Sequence, residues 1–107
     1  MSAMKTLQSE NYFNTILNDN ITGVVIFTAP WCGPCLLLND VMVKIAEHNP
    51  GVDFFTCNTE ENTDLISKLG VHSIPTMIFY KNGKEIERKK GNVPKPQIVE
   101  VLEKKLL

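Results

Sequence analysis

The run Val24-Val25-Ile26-Phe27 leads within a few residues into Trp31-Cys32-Gly33-Pro34-Cys35. A continuous stretch of apolar β-formers marks a strand buried on both faces, as in a sheet covered by helices. Pro34 suits the first turn of a helix, where its missing N–H costs little. Beyond it, Leu38, Val41, Met42 and Ile45 recur at helical spacing. The chain is therefore expected to pass from a buried strand straight into a helix, with two thiols at the junction. Open α/β sheets place their sites there, at the C-terminal ends of strands.

The rest of the chain extends this pattern. Lys5 to Leu7 reads as a short edge strand, and Ser9 can cap a helix to about Leu17 with Phe13, Ile16 and Leu17 on one face. Asn49-Pro50-Gly51 stops the helix that follows the thiols. Val52 to Cys57 reads as a strand, and Thr63 or Asp64 can cap a short helix ending near Leu69-Gly70. Thr76 to Tyr80 and Glu85 to Lys89 flank Asn82-Gly83, the pair that favours a tight hairpin. Pro94 and Pro96 precede a last helix with Ile98, Val101, Leu102 and Leu106 as its apolar positions. The order is βαβαβαββα. Strand–helix alternation argues for parallel pairing, and the hairpin adds an antiparallel edge. Residues 1–107 read as one α/β domain with a central mixed sheet flanked by helices.

Composition excludes several classes of function. The hydrophobic fraction of 43% suffices for a core, and the formal net charge of −1 gives no field to recruit nucleic acid or an acidic membrane. The run Arg88-Lys89-Lys90 reads as a solvated strand end or loop. No stretch approaches the roughly 18 apolar residues of a membrane span. Met1 to Asn11 lacks the apolar core of a signal peptide. A cytoplasmic, reducing setting is expected from this, with three cysteines as one working pair plus a spare thiol.

Cys32 and Cys35 lie about one helical turn apart, so both sulfurs can reach a common point at a helix N-terminus. Backbone N–H groups and the helix dipole favour a thiolate there. A thiol of pKa near 8.5 is only about 3% ionised at pH 7, whereas one lowered to about 7 is roughly half ionised. One cysteine can then attack a disulfide and the other resolve it. The alternatives are half a zinc site or an inert pair. Structural zinc needs four ligands, and here Cys57, His48 and His72 are scattered, with no second Cys-x-x-Cys, so no metal site is expected. No Gly-rich dinucleotide loop is present, so no cofactor is expected. Cys57 reads as a small buried hydrophobe, with a regulatory thiol as the alternative. His48 falls at a helix C-terminus, where the dipole explains it. His72 reads as a surface residue near Pro75, with a proton relay as the alternative.

Over nearly its full length the chain resembles the thioredoxin family. The resemblance is carried by Ala29-Pro30-Trp31-Cys32-Gly33-Pro34-Cys35, then Ile74-Pro75-Thr76, Asn82-Gly83 and Gly91. It implies the thioredoxin fold, with Cys32 as the exposed nucleophile and Cys35 as the more buried resolving thiol. It also implies a cis bond at Pro75, which sequence alone would not assign, since only about 5% of X-Pro bonds are cis. That loop would leave the Ile74 backbone free to pair with an extended substrate segment. Trp31, Gly33, Pro34, Ile74, Pro75 and Gly91 would form an apolar collar for substrate, of low specificity because apolar contacts discriminate weakly. The implied partners are disulfide-containing client proteins and a thioredoxin reductase, and the implied state is a monomer.

Three positions depart from the family pattern. Ile26 stands where these proteins commonly bury an aspartate, Thr56 where a lysine often approaches it, and Leu36 where a lysine often follows the second cysteine. The first two changes fit together, because a buried charge without a partner is costly. Water or the departing thiolate must then accept the Cys35 proton. The expected function is protein-disulfide reduction. A module that clamps a partner without turnover is the alternative, and an isomerase role would need an oxidising compartment.

Overall fold

A computed structural model of the chain describes residues 4–107; Met1 to Ala3 of the expected domain lie outside the described residues. Five strands form one sheet in the order β1-β3-β2-β4-β5. They are β1 (Met4–Thr6), β2 (Gly23–Thr28), β3 (Asp53–Asn58), β4 (Thr76–Lys81) and β5 (Lys84–Lys90). The helices are α1 (Gly33–Glu47), α2 (Thr63–Leu69) and α3 (Lys95–Val101), and π-helical turns occupy Asn14–Asn18 and Leu102–Leu106. β1 and β2 pair parallel to β3, whereas β4 pairs antiparallel to both β2 and β5. β2 is thus interior, which is why its apolar residues are contiguous.

Successive residues of a strand face opposite sides of the sheet, and the core divides accordingly. Val24, Ile26, Phe54 and Phe79 pack with Leu38 and Met42 of α1 and Ile98 of α3. Val25, Phe27, Phe55 and Ile78 pack on the other face with Tyr12, Ile16 and Leu65 of α2. The Asn82-Gly83 turn has positive φ at both residues, 51° and 80°, as a two-residue hairpin turn requires.

The N-terminal helical segment differs from expectation. Ser9 caps nothing; its backbone N–H and its hydroxyl both donate to Asn62 Oδ1, at 2.7 and 3.0 Å. Tyr12 and Ile16 are the buried residues, while Phe13 and Leu17 are exposed. The apolar spacing of Phe13, Ile16 and Leu17 misled because Tyr12 carries its hydroxyl inward to Tyr80, at 2.7 Å between the two oxygens. Helix α2 begins after Asn62, and neither Thr63 nor Asp64 is its N-cap. Buried Asn62 instead ties the start of α2 to distant chain, since its Nδ2 also donates to Asn58 O and Gln8 Oε1. Arg88 is not simply solvated: it pairs with Glu85 and donates to the carbonyls of Leu69 and Gly70 at 2.8 and 3.3 Å. Its Glu85 hydrogen bonds hold its pKa above the usual arginine value.

Candidate active site

β2 delivers the chain to the C-terminal end of the sheet, and α1 starts there at once. Cys32 is the N-cap of α1, in extended backbone, with Pro34 in the first turn as the sequence predicts. Cys32 and Cys35 form a disulfide with their Cα atoms 5.2 Å apart. The Cys35 backbone N–H donates to Cys32 Sγ at 3.2 Å, so one of the free donors of the helix start is aimed at this sulfur. No acidic residue occupies the first turn of α1. When the disulfide is reduced, that donor and the helix dipole both favour a thiolate at Cys32.

Expected as exposed, Cys32 is in fact 5% exposed, against 2% for Cys35. The bond to Cys35 and packing against Ala29 and Ile74 account for its enclosure. In the disulfide form both residues are buried, and Cys32 is less open than expected. Trp31 is 71% exposed, so it is not core. Its Nε1 donates to Glu60 Oε1, and the Glu60 N–H in turn is held by Asn58 Oδ1 at 2.9 Å.

The second loop of the site is Ser73–Pro75. The Ile74–Pro75 bond is cis. Thr76 Oγ1 donates to Ser73 O at 2.7 Å, and Gly91 N–H donates to Pro75 O at 2.8 Å. Gly91 has φ of 81°, in the left-handed region that favours glycine, so the β5 end folds back onto the proline loop. Trp31 and Ile74 border a cleft of about 230 Å³ with Val71 and exposed His72. The structure thus brings Trp31, Cys32, Cys35, Ile74, Pro75 and Gly91 to one end of the sheet, with Gly33 and Pro34 exposed at the start of α1.

Cys57 lies on the opposite face of the sheet, fully buried and unpaired. Burial pushes its thiol up to about 11, so at neutral pH it is protonated and inert. Tyr12 and Tyr80 are also raised, chiefly by burial. His48 caps α1, with Nδ1 2.8 Å from Lys44 O. Among the described residues no group of His, Cys, Asp or Glu side chains could hold a metal ion. Sequence reasoning missed Glu60 as the partner of Trp31, and also Asn39. Asn39 lines a cavity that Cys35 also borders; its place four residues after Cys35 was the available signal.

Comparison with known proteins agrees with this geometry. The thioredoxin family model matches residues 3–104. Thioredoxin 1 of Nostoc sp. is 35% identical over 107 residues, 99% of this chain and 100% of that one. The chloroplastic M-type thioredoxin of Chlamydomonas reinhardtii is 37% identical over 101 residues, 94% of this chain and 72% of that one. The crystal structure of a thioredoxin from Nicotiana alata superposes with a TM-score of 0.87 at 31% identity, covering 99% of this chain and 95% of that one. With its cysteine pair joined at the N-terminus of α1, this chain belongs to the thioredoxin family and is a thiol–disulfide oxidoreductase acting on protein disulfides.

Proposed function

We propose that Cys32 is the attacking thiolate and Cys35 the resolving thiol of a disulfide reductase. The observation that carries this assignment is the N-cap geometry, in which the Cys35 N–H is directed at Cys32 Sγ. The Cys32 thiolate attacks one sulfur of a client disulfide, and the other client sulfur leaves with the electron pair. Cys35 then loses its proton and attacks Cys32 Sγ. The Cys32–client bond breaks, the client's second thiol is released, and the Cys32–Cys35 disulfide remains. The client gains two electrons and the dithiol gives up two.

Trp31, Gly33, Pro34, Ile74, Pro75 and Gly91 are the client-binding collar in this reading. A client segment lies extended along the Ile74 backbone, with its disulfide over the pair. Residues 1–107 act as one thioredoxin domain and as a monomer, and a thioredoxin reductase returns the dithiol. A cytoplasmic setting fits the Gly-Pro between the cysteines and the unpaired Cys57. Among the described residues no helix is long and apolar enough to cross a membrane.

The test is reduction of a general protein disulfide such as insulin. Cys32→Ser should abolish turnover, and Cys35→Ser should accumulate a mixed disulfide through Cys32. Normal multiple turnover by Cys35→Ser would refute the resolving role. A clamp without turnover would keep binding its partner as the Cys32→Ser/Cys35→Ser variant with no reductase activity to lose.

A further inference from the structure

Behind the dithiol, away from the Trp31 and Ile74 side, a cavity of about 230 Å³ reaches Cys35. Its polar lining comes from Thr28, Asn39, Thr56 and Asn58, and Cys35 is the sole titratable group along it among the described residues. Pro30 and Leu36, both exposed, form its outer edge, so it opens to solvent. Asn39 follows Cys35 by four residues in α1, which puts the two side chains on one helix face. Helical side chains lean toward the N-terminus, so Asn39 leans toward Cys35. Its Oδ1 is buried and has no hydrogen-bond partner among the described residues. A buried amide oxygen without a partner is costly, and a cavity of this size, apolar over much of its wall but polar where Thr28, Asn39, Thr56 and Asn58 line it, has room for water to satisfy that oxygen.

We propose that Asn39 positions a water molecule in this cavity as the acceptor of the Cys35 proton. The proposal rests on the reading of Cys35 as the resolving thiol. Asn39 Oδ1 accepts one O–H of the water, and this turns an oxygen lone pair toward the Cys35 S–H. As Cys35 sulfur attacks Cys32 Sγ, its proton passes to the water and out to solvent past Pro30 and Leu36. The Cys32–client S–S bond breaks with its electron pair on the client sulfur. Asn39 is a positioning residue: an amide is no base, and it acts only through the water it holds.

The test follows a single turnover of the reduced protein with a nitrothiobenzoate disulfide as probe. The chromophoric thiolate leaves in two phases. The first depends on probe concentration and reports attack by Cys32. The second does not, and reports resolution by Cys35. Asn39→Ala, which places the best helix former in mid-helix, should slow the second phase about tenfold, the value of one hydrogen bond of ordinary strength. It should leave the first phase unchanged and move the pH profile of resolution upward. Asn39→Asp restores an acceptor oxygen and should recover the second phase relative to Asn39→Ala. Two results would overturn the proposal: an Asn39→Ala profile identical to that of the unaltered protein, or equal slowing by Ala and Asp. Absence of any second phase in the unaltered protein would instead overturn the resolving role of Cys35, and this proposal with it.

Discussion

Ile26→Asp should convert a pH-insensitive strand position into one whose cost rises steeply with pH. Ile26 is 0% exposed in the interior strand β2. Its register neighbours are Thr56 on β3 and Met77 on β4, neither of which can pair with a carboxylate as a cation would. Full burial raises a carboxyl pKa by up to about 3–5 units above the unfolded value of about 3.9. The native state then holds the proton more tightly than the unfolded state does. Stability is fully present below the unfolded pKa and is lost as pH rises toward the native pKa. At about 1.36 kcal/mol per unit, the ionisation penalty is about 1 kcal/mol at pH 4.5 and about 4–6 kcal/mol at pH 8. A domain of this size has only about 5–15 kcal/mol in total, so the variant should be close to unfolding at pH 8. Ile26→Asn is the control, since it loses the same apolar contacts but cannot ionise. The assay is urea denaturation of both variants at the two pH values. The Asp–Asn difference should grow by about 3–5 kcal/mol between them. A difference constant to within about 1 kcal/mol would refute the reasoning and show that the carboxylate reaches water, for example through the cavity that Thr56 lines.

Three further outcomes are expected. Cys57 should label far more slowly than reduced Cys32 in the native protein, and Cys57→Ala should keep turnover. Because the buried Cys57 thiol is raised to about 11 from 9.0, its contribution to stability is present below pH 9 and lost as pH rises through 11. The unaltered protein should therefore lose more stability than Cys57→Ala over that interval in denaturation measurements. Asn62→Ala leaves the Ser9 N–H and Asn58 C=O without their partner, so chemical denaturation should show a loss of about 2–4 kcal/mol. Tyr80→Phe strands the buried Tyr12 hydroxyl and should cost about 1–3 kcal/mol; the Tyr12→Phe/Tyr80→Phe double variant should recover part of this.

What the sequence displays locally, the structure repeats. The Val24 to Phe27 run announces an interior strand because β2 has neighbours on both sides. Asn82-Gly83 announces its turn because both residues must take positive φ. The misreadings share one cause: a polar side chain whose partner lies far away in sequence. Ser9 looks like a helix cap until Asn62 arrives from 53 residues away. Phe13 and Leu17 look like part of the buried face until Tyr12 turns inward to meet the Tyr80 hydroxyl across 68 residues. Arg88 looks solvated until the C-terminal end of α2 offers two carbonyls. Periodicity carries no signal for such contacts, since it records which residues are apolar and not which polar groups find each other.

The site itself escapes that difficulty because backbone does most of its shaping. Cys32 obtains its donor from the Cys35 N–H and the proline loop is held by the Gly91 N–H; in the proposed reading an extended client meets peptide groups at Ile74. Cys-Gly-Pro-Cys, Ile-Pro-Thr and a positive-φ glycine are each written into sequence as residue types that few other backbones tolerate. As a client-binding collar, the apolar walls proposed around them would discriminate weakly among clients. Individual character must then reside in side chains outside that collar, such as Asn39 and Thr56 in the cavity that reaches Cys35. In the proposed reading these residues lie outside the client-binding collar, so changes there should alter the rate of resolution without altering what is bound. That separation is measurable: substitutions at Trp31 or Ile74 should move the concentration dependence of client reduction, and substitutions at Asn39 the concentration-independent step.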